Sequence, residues 1–142
     1  MPNKIWGRKM SARIGKVIIW IIALFYAYGA VVHVMNMLSL TGFDWLNAPM
    51  KWQVLDIVYL FLDIVVAIGF FAGWKISYVA FYLAAISQII LYTLLRAWII
   101  DVPEEFSVSP EQESYLTGLV FFHAVTIVLL TAVLKMRQKP RG

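Results

Sequence analysis

Four long apolar stretches run along the chain and are separated by short polar connections. They cover about residues 17–40, 54–71, 77–100 and 115–133. A helix needs about 20 apolar residues to cross about 30 Å of hydrocarbon, and each stretch approaches or exceeds this length. Because backbone groups in lipid must pair within their own segment, these continuous runs predict helices rather than β-strands. The pattern therefore predicts an all-α fold, a four-helix transmembrane bundle.

The third connection carries a pattern that is typical of a helix start. Ser109 is a capping residue, Pro110 suits the first helical position, and Gln112 follows the serine by three residues. We therefore expect the fourth helix to begin about one turn before its apolar stretch. The earlier connections contain turn-forming residues, among them Gly42 and Gly73.

Composition narrows the class of protein. The chain has 142 residues, of which 62% are hydrophobic and 14% are charged, well outside the norm for soluble domains. We expect residues 1–142 to form one integral membrane domain. The absence of cysteine excludes disulfides and thiolate metal sites. No nucleophile-plus-base arrangement or phosphate-binding loop occurs, which favours a protein without catalytic activity of its own but leaves that question open. The net charge of +4 suits a membrane topology and anionic lipid headgroups, so we expect no nucleic-acid partner.

The basic residues predict the orientation. Ten of the twelve lie before the first stretch, in the second connection or after the last stretch: Lys4, Arg8, Lys9, Arg13, Lys16, Lys75, Lys135, Arg137, Lys139 and Arg141. The positive-inside rule places this side, and both termini, in the cytoplasm, with the protein in a bacterial-type inner membrane. The tryptophans Trp45, Trp52, Trp74 and Trp98 fall near the expected interfaces with water.

A cleaved signal peptide is an alternative for the first stretch. Residues 27–30 (AYGA) resemble a cleavage site, which requires small residues at alternate positions. The apolar run continues for about ten residues beyond them, which favours an uncleaved first span.

Polar side chains inside the apolar stretches are the best clue to function, because charge is costly in hydrocarbon. Spacings of three, four and seven place them on common helix faces, and most lie in the non-cytoplasmic half. We expect them to form one polar pocket: His33, Asn36, Asp56, Asp63, Gln88, Tyr92, Arg96 and His123.

Structural roles suit the same residues. Asp56 and Arg96 suit an ion pair between the second and third helices. Asp63 suits hydrogen bonds to Gln88, to a tyrosine or to a histidine, and each histidine alone suits a hydrogen-bonded core position. Gly29 suits close helix packing.

Functional roles suit them as well. His33 and His123 suit axial ligation of a haem iron with Arg96 near the propionates, or a metal site with Asp63 as third ligand. A quinone headgroup held by His33, Asp63 and Tyr92 is another hypothesis. Proton relay through histidine and carboxylate is a further one.

Two segments resemble the DoxX-like group of small four-helix bacterial membrane proteins. They are FYAYGAVVH at residues 25–33 and LDIVVAIGFFAGW at residues 62–74. That group usually carries glutamate where Asp63 stands. The resemblance implies four spans and a membrane partner in redox or quinone-linked complexes, often without catalytic activity.

The leading hypothesis is an accessory or assembly subunit that docks to other membrane proteins or self-associates in the lipid bilayer. A quinone- or haem-binding redox-linked protein with an outer-side pocket is the alternative. A small proton-coupled transporter is the third hypothesis, and it would need to dimerise to form a path.

Overall fold

The structure is a computed structural model that describes residues 2–138, all-helical and without a strand in that range. The helices are α1 (Pro2–Met37), α2 (Met50–Ala72), α3 (Ile76–Tyr92), α4 (Arg96–Ile100) and α5 (Pro110–Gln138), with 3-10 turns at Trp45–Asn47 and Glu104–Phe106. By length and composition α1, α2 and α5 can each cross a membrane, and α3 is a shorter apolar helix. Of the residues that predict the orientation, Lys139, Arg141 and the side chain of Lys4 lie outside the described part.

The first helix includes the basic segment and ends slightly before the predicted boundary. Ser39 adopts a left-handed backbone conformation with φ 58°. The amide of Leu40 donates to the carbonyl of Met35 at 2.9 Å, and the amide of Ser39 donates to that of Asn36 at 2.8 Å. These two bonds satisfy the last carbonyls of α1 and stop it at Met37.

The turn between α2 and α3 needs a glycine. Gly73 has φ 75° and caps α2, and the amide of Trp74 donates to the carbonyl of Gly69 at 2.8 Å. Gly69 in turn lies against the side chain of Ser77 on α3, so a β-carbon there would collide with it. Two glycines therefore permit both the reversal of the chain and the close approach of α2 and α3.

The third apolar stretch is not one helix over 77–100, as the sequence predicts, because it breaks between α3 and α4. The hydroxyl of Thr93 donates to the carbonyl of Ile89 at 2.6 Å, a bond that competes with the helical ladder. Beyond the break, Arg96 donates to the carbonyl of Glu113 at 2.6 Å. The break thus turns Arg96 toward the start of α5.

The predicted start of the fourth long helix is confirmed. The amide of Ser109 donates to Oε1 of Gln112 at 2.8 Å, and the amide of Gln112 donates to Oγ of Ser109 at 3.2 Å. Pro110 is the first residue of α5. This reciprocal capping is local in sequence, which is why the sequence predicts it correctly.

The long helices share one apolar core. Each contributes a fully buried side chain: Ile22 from α1, Val66 from α2, Phe81 from α3 and Leu130 from α5. Helix α1 packs on α2, α2 on α3, α3 on α5, and α5 returns to α1. The outer faces of these helices carry many exposed large apolar side chains, as expected of surfaces that contact lipid.

The start of α1 and the end of α5 lie at the same end of the molecule. Gly15 faces Val133, with 3.0 Å between a β-carbon built on the glycine and the valine Cγ1. The α2–α3 turn lies at this end too, since the rings of Trp20 and Phe71 are 6.0 Å apart.

The two longer connections meet at the opposite end. The indole of Trp52 donates to the carbonyl of Ile99 at 3.0 Å. Its ring packs edge-to-face on Phe106, with 6.2 Å between the ring centroids. Lys51 also donates to the carbonyls of Trp98 and Asp101, each at 2.5 Å. We call this the connection end.

We expect Gly73→Ala to lower the free energy of unfolding by about 1 kcal/mol, since alanine in the left-handed region is strained. No atom lies within 4 Å of an added β-carbon at Gly73, so the backbone alone accounts for the loss. Thermal unfolding in detergent, followed by circular dichroism, measures the change. Gly7→Ala is the matched control, because that helical glycine is equally open and alanine there is neutral or slightly stabilising. Equal melting of the two variants would contradict this account.

Candidate functional site

A cavity of about 590 Å³ lies between α1, α2, α3 and α5 toward the connection end. Its wall is mostly apolar and aromatic. Seven of the eight side chains predicted from the sequence line it: His33, Asn36, Asp56, Asp63, Gln88, Tyr92 and His123. Arg96 is absent from the wall, because it follows the break after α3.

The buried carboxylate of Asp56 is the most heavily hydrogen-bonded group in the wall. Oδ1 lies 2.7 Å from Nδ1 of His33 and accepts from Nδ2 of Asn36 at 2.9 Å. Oδ2 accepts from the indole Nε1 of Trp45 at 2.9 Å. Two donors come from α1 and one from the connection that follows it. Asp56 thereby joins three consecutive segments of the chain.

The other ring nitrogen of His33 faces a second carboxylate. Nε2 lies 3.7 Å from Oδ2 of Asp63, within ion-pair range but longer than a hydrogen bond. Asp56 and Asp63 are seven residues apart and so share one face of α2. The imidazole of His33 therefore lies between two carboxylates, and its ring stacks on Tyr59 with centroids 6.2 Å apart.

Gly29 makes room for the deeper carboxylate. A β-carbon at Gly29 would overlap Oδ2 of Asp63. The absence of a side chain on α1 thus lets the carboxylate of α2 lie directly against the α1 backbone. Gly29 serves close packing, as the sequence predicts, and here that packing accommodates a polar group.

On the opposite wall, His123 and Gln88 form a pair. Nε2 of His123 lies 2.9 Å from Oε1 of Gln88, which connects α5 to α3. Nδ1 of His123 and the hydroxyl of Tyr26 are both buried, and neither has a hydrogen-bond partner among residues 2–138. The two rings are 6.3 Å apart and both line the cavity. Two residues of the cavity wall therefore each carry one buried polar atom without a partner.

Neither pairing considered between α2 and α3 occurs, and of the partners considered for Asp63 the structure places a histidine, His33, within ion-pair range. Asp56 does not pair with Arg96, because the break after α3 carries the guanidinium to Glu113 and to the hydroxyl of Thr117 at 2.7 Å. Asp63 does not bond Gln88, whose oxygen is taken by His123. Periodicity gives the face of each residue but not which neighbouring helix that face meets.

The haem and metal hypotheses find little support in this geometry. Within residues 2–138, no group of three or more histidine and acidic side chains is arranged to hold a metal ion. Nδ1 of His33 contacts Asp56 and its Nε2 faces Asp63. His33 therefore has no ring nitrogen clear of a carboxylate, which an axial haem ligand requires.

Two site residues were not among the sequence candidates. Tyr26 falls on the same helical stripe as Gly29 and His33, so spacing alone indicates it. Trp45 was expected near the water interface, and nothing in the sequence shows that its connection folds back onto Asp56.

The cavity can hold a largely apolar molecule and offer it a few polar contacts. Comparisons with protein-family models, with curated proteins and with solved structures find no match for this chain. The chemistry of the cavity therefore carries the functional interpretation.

We expect Gly29→Ala to destabilise the protein by about 2 kcal/mol, because the new methyl group displaces a buried carboxylate. In an Asp63→Ala background the same change is expected to cost less than about 0.5 kcal/mol, since the obstacle is gone. Thermal unfolding of the four proteins in the double-mutant cycle measures the coupling. Gly118→Ala is the control, because nothing lies within 4 Å of an added β-carbon there. Additive effects at positions 29 and 63 would show that the two groups do not meet.

Proposed function

We propose that the chain crosses a bacterial-type inner membrane four times, as a four-helix bundle with both termini in the cytoplasm. Helices α1, α2 and α5 are long and apolar enough to span. Helix α3 has 17 residues, about 25 Å at 1.5 Å per residue, and α4 extends the apolar stretch. The start of α1 and the end of α5 share one end of the molecule, which agrees with an even number of crossings. The basic residues favour the cytoplasm for that end.

The topology is testable because the chain has no cysteine. We expect Ser107→Cys, in the exposed connection before α5, to react with a membrane-impermeant maleimide on intact cells. Ser11→Cys, in the exposed basic part of α1, is expected to react only after permeabilisation. Labelling of both variants in permeabilised cells controls for reactivity. The reverse pattern would overturn the orientation.

We further propose that the cavity binds a ring-shaped, lipid-soluble headgroup of the quinone type. The unpaired hydroxyl of Tyr26 and the unpaired Nδ1 of His123 carry this proposal. Leaving a buried polar group without a hydrogen-bond partner costs about 1–3 kcal/mol of folding free energy. A purely structural role gives no reason for that cost. A ligand that supplies the missing partners removes this cost.

The polarity of the two atoms favours a quinone and its reduced form. With its proton on Nε2, His123 donates to Oε1 of Gln88 and leaves Nδ1 as an acceptor. Tyr26 can donate to a quinone carbonyl, and Nδ1 can accept from a quinol hydroxyl. Aromatic side chains such as Phe25 and Phe122 supply flat apolar walls. The volume of about 590 Å³ lies in the usual range for small-molecule sites.

The transporter hypothesis gains less from the structure. Asp56, His33 and Asp63 place two carboxylates beside one imidazole in the cavity. Beyond Asp63, however, the core is filled by fully buried apolar side chains such as Val66 and Phe81. The buried hydroxyls of Thr126 and Ser77 lie toward that other end, and each donates to the backbone carbonyl three residues before it, so their protons are used within their own segments.

An accessory role in a redox complex remains compatible with quinone binding. The DoxX-like resemblance implies such a partner, and a subunit that holds a quinone beside that partner would join the two proposals. The accessory role itself stays a prediction from the sequence.

The binding test uses a benzoquinone with a decyl tail, added to the purified protein in lipid nanodiscs while tryptophan fluorescence is recorded. We expect saturable quenching, and an affinity about tenfold lower for Tyr26→Phe, the loss of one hydrogen bond worth about 1.4 kcal/mol. Tyr82→Phe is the matched control, because the hydroxyl of Tyr82 contacts Thr131 at 2.6 Å and does not line the cavity. Quenching by the wild-type protein that never saturates would refute quinone binding. An unchanged affinity in Tyr26→Phe would remove Tyr26 from the site.

A further inference from the structure

The cavity lining is most exposed along one side of the helix arrangement. The helical residues that line it and are exposed belong to α1 and α5, among them Phe25 (51% exposed), Tyr28 (63%) and Tyr115 (56%). Every lining residue from α2 and α3 is buried or only partly exposed. The opening therefore lies between α1 and α5.

The separation of α1 and α5 begins at an aromatic pair. Toward the termini the two helices touch, with Gly15 against Val133. The rings of Phe25 and Phe122 still meet at 5.0 Å. Gly118 lies one turn nearer the start of α5 and lines the cavity. A β-carbon built on it has no atom within 4 Å. The helices thus diverge from the phenylalanine pair toward the connection end, and Gly118 borders the gap.

The gap opens toward acyl chains. On the same helices the outward side chains around it are large, apolar and exposed, including Leu24, Val31 and Phe121. In the proposed topology this part of both helices is immersed in hydrocarbon. The unpaired polar atoms of Tyr26 and His123 are buried. The exposed part of the lining includes the aromatic rings of Phe25, Tyr28 and Tyr115. An apolar tail can therefore lie along aromatic rings when the headgroup lies deeper.

We propose that the α1–α5 gap is a lateral entrance from the bilayer and that the ligand is a tailed amphiphile, a prenyl or alkyl quinone. Its ring enters between the helices and reaches the polar atoms at the back. Its apolar tail remains in the gap, past Gly118, among lipid chains. This inference rests on the proposed quinone-type site and adds the route and the tail.

The test closes the gap after folding. Gly118→Cys introduces the only cysteine of the chain, at a position with open space around it. Benzyl methanethiosulfonate then attaches a benzyl group through a disulfide that dithiothreitol removes. The unmodified variant is the reference for the modified one, and we expect it to bind the decyl benzoquinone saturably. Modification is expected to weaken that binding at least about tenfold, and reduction is expected to restore it.

Val125→Cys is the matched control, because Val125 is exposed on α5 but does not line the cavity. Its modification is expected to leave binding unchanged. The same benzoquinone ring with a methyl group in place of the decyl tail is the second probe. We expect it to bind the wild type at least about tenfold more weakly, since it lacks the apolar surface buried in the gap.

The outcomes separate the two proposals. Absence of saturable binding of both probes to the wild type would overturn the site and, with it, the entrance. Equal binding of the two probes, or decyl-quinone binding that survives modification at position 118, would overturn the lateral entrance alone. In that case the Tyr26→Phe result still decides the headgroup site. Reversible loss at position 118, with no loss at position 125, supports the entrance.

Discussion

The arrangement of the connection end depends on the burial of the Asp56 carboxylate. A carboxylate removed from water is very unfavourable unless donors surround it. Here His33 and Asn36 of α1 and Trp45 of the following connection all contact it. Because bonds to a charged group are stronger than neutral ones, this single group fixes the end of α1 and folds the connection inward. It also sets the register of α1 against α2.

The cavity follows from unequal packing along the helices. Near the termini the core is filled by Ile22, Val66, Phe81 and Leu130, so the four helices meet tightly. Toward the connection end, α3 stops early and Arg96 joins the break to the start of α5. The segment that would continue α3 therefore turns aside and contributes Ile99 to the cavity wall. A cavity results in which polar side chains retain room around them.

Sequence reasoning succeeds here where the determinants are local. The capping residues of α5 contact one another within four positions, and Asp56 and Asp63 share a face because seven residues make nearly two turns. It fails where the partner of a residue depends on how two distant segments are placed relative to each other. The break at Thr93 has no glycine or proline to announce it, and the partner of Arg96 changes as a result.

Trp45 illustrates the same limit in a connection. The residues around Trp45 indicate a turn, but a turn does not determine where the indole side chain points. Only the long-range contact with Asp56 determines it. The predicted set of pocket residues was therefore largely brought together at one cavity, while their partners were mostly different from those expected. Periodicity shows which residues share a helix face. The hydrogen-bond partner of each residue depends on the relative positions of the helices, which periodicity does not give.

The partners, more than the list of polar residues, indicate which groups recognise a ligand. His33 is hydrogen-bonded to Asp56 through Nδ1 and has Asp63 within ion-pair range of Nε2, so both ring nitrogens face groups of the protein. His123 uses one nitrogen on Gln88 and keeps the other unpaired, and Tyr26 keeps its hydroxyl unpaired. The two histidines, equivalent in the sequence, therefore differ in role. His33 holds the carboxylates of α2 in place, and the wall formed by Tyr26 and His123 is where a ligand entering between α1 and α5 would find its polar contacts.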